Sequence, residues 1–150
     1  YPFLIYGILV WGNTYKTTLK PLVLLQKRAV RIITFSPFIA HTSPIFKQLY
    51  ILKFGDIIYL CNSIFMYKFK FNLLPSLFDN FFSSIKTRHN YNTRLASRSS
   101  YSLPSARTNY GKFNIRFQGA MIWNNINESF KSLNLSKFKS SMKENLLNSY

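Results

Sequence analysis

Acidic side chains are scarce in this sequence. Four Asp and Glu stand against 20 Lys and Arg in 150 residues, a formal net charge of +16. The four, Asp56, Asp79, Glu128 and Glu144, lie far apart along the chain. No Asp-Asp pair is present to hold two magnesium ions, and no two acids share a helix face. The pattern argues against an autonomous metal-dependent active site. The single cysteine, Cys61, excludes an internal disulfide framework and a thiolate zinc cluster, and a reducing compartment is the default. His41, His89 and Cys61 make no ligand spacing. Five glycines form no phosphate-cradling loop and no nucleophile elbow. No apolar run reaches the roughly 18 residues of a membrane span. The apolar opening Tyr1–Trp11 lacks the basic leader of a signal peptide and reads as the inside of a longer chain.

Hydrophobic residues are plentiful at 47%, with 15 Phe and 10 Tyr, enough for a packed core. Pro2–Trp11 reads as a buried helix or strand. Leu19–Ile33 follows a helical period, with Pro21 in its first turn and a cap at Thr14 or Thr18. Leu22, Leu25, Ala29, Ile32 and Ile33 define its apolar face. Ser36-Pro37 ends it, and Ser43-Pro44 opens a short helix to Tyr50. Asp56 caps Ile57–Phe71, whose apolar face is Ile57, Leu60, Cys61, Ile64, Phe65 and Phe71, with Asn62, Ser63, Met66 and Lys70 opposite. Leu74-Pro75 breaks the chain before a helical turn at Ser76–Phe82. Ser83–Arg107, rich in Ser, Arg and Asn, is a loop or extended linker. Leu103–Arg107 and Lys112–Phe117 pair as short strands, because Phe113, Ile115 and Phe117 alternate with polar residues. Gly119–Trp123 fits a turn into a helix. Asn127 caps Glu128–Leu133, and Ser136 caps a last helix that buries Phe138, Met142 and Leu146. Trp11, Trp123 and Cys61 are core residues, and His41 is a structural hydrogen bonder. The fold class is mainly α with a small β element, that is, α+β.

The placement of charge indicates the partner. Lys16, Lys20, Lys27, Arg28, Arg31, Lys47 and Lys53 occupy residues 1–55 without an acid. Lys86, Arg88, Arg94, Arg98, Arg107, Lys112 and Arg116 do the same in residues 80–127. A face kept for solubility normally interleaves both signs, and such blocks suit a polyanion. On the first helix Lys20, Lys27 and Arg31 form a stripe, with Lys16 in line and Arg28 beside it. In the second block Arg88, Tyr91 and Arg94 alternate with Asn, combining phosphate donors, a stacking ring and base-edge groups. The candidate contacts to nucleic acid are Lys16, Lys20, Lys27, Arg28, Arg31, Arg88, Tyr91, Arg94, Arg98, Arg107 and Arg116. The bland alternative is a solvated basic surface.

An ordered series of motifs carries a resemblance. These are Tyr6-Gly7 with Trp11-Gly12; Leu25-Gln26-Lys27-Arg28-Ala29-Val30-Arg31-Ile32-Ile33; His41-Thr42-Ser43-Pro44-Ile45-Phe46; Leu52-Lys53-Phe54 and Asp56-Ile57; Met66-Tyr67-Lys68; Leu74-Pro75; His89-Asn90-Tyr91-Asn92-Thr93-Arg94; and Phe117-Gln118-Gly119 with Ile122-Trp123-Asn124. In this order they resemble the C-terminal part of reverse transcriptases from jockey-like non-LTR retrotransposons. The resemblance implies an RNA-directed DNA polymerase as the parent, whose catalytic aspartates and magnesium sit in a palm absent from this sequence. It assigns 1–36 to the end of the thumb-like helices, 37–82 to a helical extension, 83–110 to a basic linker and 111–150 to a small C-terminal α+β module. It implies RNA and DNA backbone and the parent's palm as partners, and an apolar face exposed where that palm packs. It implies no catalytic residue, cofactor, small-molecule substrate or membrane for this part, and a ribonucleoprotein of the nucleus and cytoplasm. The family often carries Pro where this chain has Asn127, which can still cap a helix. The rival readings are an inactive structural remnant of a decayed mobile element and a basic membrane-surface protein.

Overall fold

The computed structural model describes residues 2–88 and 100–150. Those residues form an all-α fold, with helices α1 (Pro2–Ile5), α2 (Ile8–Trp11), α3 (Lys16–Ile33), α4 (Thr42–Gln48), α5 (Phe54–Lys70), α6 (Ile85–Arg88), α7 (Asn109–Phe113), α8 (Ile115–Asn125), α9 (Glu128–Lys131) and α10 (Leu135–Asn148). A 3-10 turn at Ser76–Phe78 precedes α6. The anticipated strand pair is not formed. Thr108 Oγ1 accepts from Gly111 N and Asn114 Oδ1 accepts from Arg116 N, so two side-chain caps start α7 and α8 across the alternating stretch. Among the described residues the only bridge is Ser84 with Tyr101, antiparallel.

Helix α5 lies at the centre and packs on α8, α10, α2 and α3. This position overturns the division of α5 into an apolar and a polar face: Asn62, Ser63 and Met66 are fully buried, while Phe71, just past the helix end, is 45% exposed. The buried polar groups of α5 are satisfied, whereas among the described residues Ser100 Oγ and Trp123 Nε1 are buried without a hydrogen-bond partner. Asn62 and Asn13 exchange amide hydrogen bonds at 3.2 and 3.1 Å, Asn62 Nδ2 also donates to Ile58 O, and Ser63 Oγ donates to Tyr59 O. Burial without these bonds would cost several kcal/mol. On one side of α5 the core joins Met66 and Tyr67 to Phe82, Tyr101, Trp123, Phe138 and Met142. On the other, Ile57 meets Ile8, Leu52, Phe54 and Leu147. A third cluster ties Val30 of α3 to Ile45 and Phe46 of α4.

Several local expectations shift. Pro2–Trp11 is two short helices broken at Gly7, whose φ of 62° is left-handed, and of these only Ile8 is buried. Trp11 is partly exposed, stacked on Phe54 at 5.8 Å, whereas Trp123 is core. Pro21 lies inside α3, beyond its first turn, behind an N-cap at Tyr15. His41 takes the N-cap of α4 without a side-chain bond, displacing Ser43. Lys53 is the N-cap of α5; Asp56, one turn in, accepts the Tyr150 hydroxyl at 2.6 Å. Asn134, not Ser136, caps α10, while Asn127 caps α9 as expected.

With so few glycines, three helix ends close on other residues in the left-handed region. Phe35, Tyr50 and Asn72 have φ of 51°, 55° and 53°. Each is followed by a closing bond typical of a helix C-terminus: Ser36 N to Arg31 O, Ile51 N to Phe46 O, and Leu73 N to Lys68 O. Phe35 is 96% exposed, so its ring gains little in return for the strain. Phe35→Gly is expected to stabilise the fold by about 1 kcal/mol, read as a shifted urea midpoint at constant m-value.

Asn124 clamps the strand-like segment to α8. Its Oδ1 accepts from Tyr101 N at 2.9 Å and its Nδ2 donates to Tyr101 O at 2.8 Å, copying a sheet partner with one side chain. Burial pushes the Tyr101 phenol up to about 12, from an ordinary 10.0. The folded state therefore holds a proton that the unfolded chain begins to release near pH 10. Stability from this group is complete below that pH and falls between pH 10 and 12, by on the order of 1–2 kcal/mol. Denaturant melts at pH 9 and 11.5 should show that loss, and Tyr101→Phe should remove this part of it.

Candidate nucleic-acid interface

Helix α3 carries the first basic block, and its orientation decides which cations are free. Leu19, Leu22 and Val23 pack toward α5, and Val30 toward α4. Gln26 shares this inward side: its Nε2 donates to Leu52 O and its Oε1 accepts from Phe54 N, both at 2.8 Å, pinning α3 to the start of α5. Of the apolar face expected from periodicity, Leu25, Ile32 and Ile33 are 61%, 64% and 59% exposed. Leu22 of that face packs inward as expected, but the buried side is turned toward Leu19, Val23 and Val30, which leaves Leu25, Ala29, Ile32 and Ile33 exposed.

At 100° per residue, Lys16, Lys27, Lys20 and Arg31 then follow one another along the flank next to the packed arc. Lys16, Lys20 and Arg28 are exposed, and Lys27 and Arg31 are half-buried. Arg31 differs from the lysines in being engaged: its Nε donates to Ala40 O at 3.0 Å and its guanidinium carbon lies 5.8 Å from the centre of the Phe38 ring. It holds the turn after α3 in place, a role periodicity does not reveal. Arg28, Arg31, Ile32, Phe35 and Phe38 border an apolar groove.

The second block meets the first at an aromatic seam. Tyr15, immediately before Lys16, contacts Phe113 edge-on at 4.7 Å and Tyr110 at 5.9 Å, and Tyr110 contacts Phe113 at 6.2 Å. The seam joins the start of α3 to α7, with Lys16 and the exposed Lys112 adjoining it in sequence. Arg107 is exposed just before α7. Arg116 sits in the first turn of α8 with its guanidinium carbon 4.4 Å over the Phe81 ring. Arg88 ends α6. Tyr91, Arg94 and Arg98 lie outside the described residues. Lys112, in the acid-free block but not among the candidate contacts, joins the interface here with Tyr110, while the role of Gln26 in pinning α3 has no local sequence signal.

Two of the four acids are engaged elsewhere. Glu128 pairs with the buried Lys131 at 2.9 Å, and Lys131 lies 5.2 Å over the Trp123 ring. Asp56 is bonded to Tyr150, whose hydroxyl also accepts from Lys53 N. Burial pushes the Cys61 thiol up, which does not favour a reactive thiolate. Among the described residues no cluster of His, Cys, Asp and Glu is placed to hold a metal ion, and no helix is long and apolar enough to cross a membrane. No protein-family model, curated protein or solved structure matches the chain.

Proposed function

We propose that this chain is a nucleic-acid-binding part of a jockey-like retrotransposon reverse transcriptase, gripping template RNA or an RNA–DNA duplex by its backbone. One observation carries the reading: Lys16, Lys20 and Lys27 follow one flank of α3, in a stretch of chain without a carboxylate, and that flank begins at the seam where the second acid-free block arrives. Lysine ammonium groups at successive turns suit a phosphate backbone, which is read without regard to sequence. Catalysis, with its magnesium, belongs in this reading to the parent's palm. The exposed Leu25, Ile32 and Ile33 are where that palm would rest, since monomeric proteins seldom leave such apolar surface bare.

A labelled RNA–DNA duplex titrated with the chain between roughly 50 and 200 mM salt tests the proposal. With about four phosphate contacts, log K falls against log salt with a slope of about −3 to −4. A flat response removes the reading.

A further inference from the structure

Arg116, named above among the candidate contacts, borders a cleft that shares no residue with the α3 stripe, and it is assigned below to that cleft instead of to the duplex. Where the chain passes from Phe82 into α6, it runs antiparallel to the segment leading away from Ser100. Ser102 N donates to Ser83 O at 2.9 Å and Ile85 N to Ser100 O at 3.1 Å. Beside this short ladder lies a half-open cleft of about 480 Å³, bordered by Asn80, Phe81, Ser83, Ser102, Pro104 and Arg116. Its size falls in the usual range for small organic ligands.

The wall of the cleft is fixed. The Phe81 ring is held by edge-on contacts from Phe78 and Phe82, each at 5.4 Å. Arg116 lies over that ring, and its backbone N–H is taken by Asn114 at the capped start of α8. A guanidinium resting on an aromatic face keeps its N–H edges for an anion. Arg116 makes no ion pair with a described acid, and Asp79, next in sequence to the cleft residue Asn80, is exposed and does not border the cleft.

We propose that this cleft takes one nucleotide of a single-stranded nucleic acid. The phosphate sits on the edge of Arg116, the base lies along the Phe81–Pro104 wall, and the Asn80 amide meets a base edge. A ring, a guanidinium and an amide at one mouth match the three parts of a nucleotide. A base inside a duplex is stacked on both sides and does not enter without unstacking. The inference rests on the nucleic-acid reading above but uses different residues from the α3 stripe, so the two fail separately.

The test compares a fluorescein-labelled 10-nucleotide oligouridylate with a blunt RNA–DNA duplex, using anisotropy on the full chain. Arg116→Gln is expected to weaken the single strand about 10-fold and the duplex less than about 2-fold. Arg116→Lys, which keeps the charge but not the planar fork, recovers only a minor part of the loss. Phe81→Leu repeats the selective loss and serves if Arg116→Gln does not keep the parent's melting temperature. A strand carrying 4-thiouridine, irradiated in the complex, crosslinks within residues 80–83 or 102–104. Equal loss on both ligands, no loss, or crosslinks confined to other segments would overturn the cleft. Uridine 5′-monophosphate is the competing arm: displacement at the strand's own concentration makes this a mononucleotide site and also overturns the proposal. Absence of binding to either polymer removes the nucleic-acid reading itself, whereas duplex binding without crosslinks in the cleft removes only this inference.

Discussion

Converting Lys16, Lys20 and Lys27 together to Gln is expected to weaken duplex binding on the order of 100-fold near 0.1 M salt and to flatten the salt slope by about 2 to 3. The reasoning is additive. Each ammonium that contacts phosphate releases close to one condensed counterion, and Lys16 and Lys20 have neither a described ion-pair partner nor a buried position to lose. Folding should be little affected, because Gln keeps the apolar stems and a helix-compatible side chain. An unchanged slope with unchanged affinity would make the stripe a solvated face and nothing more. Arg31→Gln should behave differently. It removes the anchor to Ala40 O and loosens the turn carrying Phe38, so its loss registers in the melting curve as well as in binding.

Gly119→Val is expected to destabilise the fold by about 3 kcal/mol, in the upper range for over-packing a core. Helix α8 passes so close to α5 here that even a Cβ at Gly119 would stand 2.8 Å from Met66 Sδ and 3.3 Å from Phe82 Cζ. Met66 is fully buried, with little space to retreat into, and Phe82 backs the cleft wall. Gly119→Ala should cost less, because gained helix propensity offsets part of the clash. A urea denaturation series separates the variants; a Val variant as stable as the parent would mean that α5 and α8 pack differently from this description.

Much of the helical framework is legible in the sequence. The period of Leu19–Ile33, the break at Leu74-Pro75, the cap at Asn127 and the buried Phe138 and Met142 all follow from local rules and reappear in the fold. The strand pair failed because six alternating residues are a weak signal beside the two caps, Thr108 and Asn114, that start helices on the same stretch. The polar flank of α5 was misread for a different reason. Asn62 and Ser63 look solvent-facing by type, yet each is satisfied within the protein, and local periodicity does not disclose a partner as distant as Asn13.

The same division runs through the candidate interface. That cations gather in two blocks without acids is a property of the sequence alone, and it sets the sign of any partner. Which of those cations stand free is tertiary. The apolar residues of helix α3 spread over more than half of its circumference, and only docking on α4 and α5 selects Leu19, Leu22, Val23 and Val30 for burial. That choice leaves Leu25, Ile32 and Ile33 in solvent and sets Arg31 to bracing a turn. The pairing of Arg116 with Phe81 likewise depends on segments far apart in the chain meeting at the start of α8. Composition and period act locally and through net charge. The rotation of a helix about its own axis, and so the face it offers to a ligand, is decided by which neighbours fill the space against it.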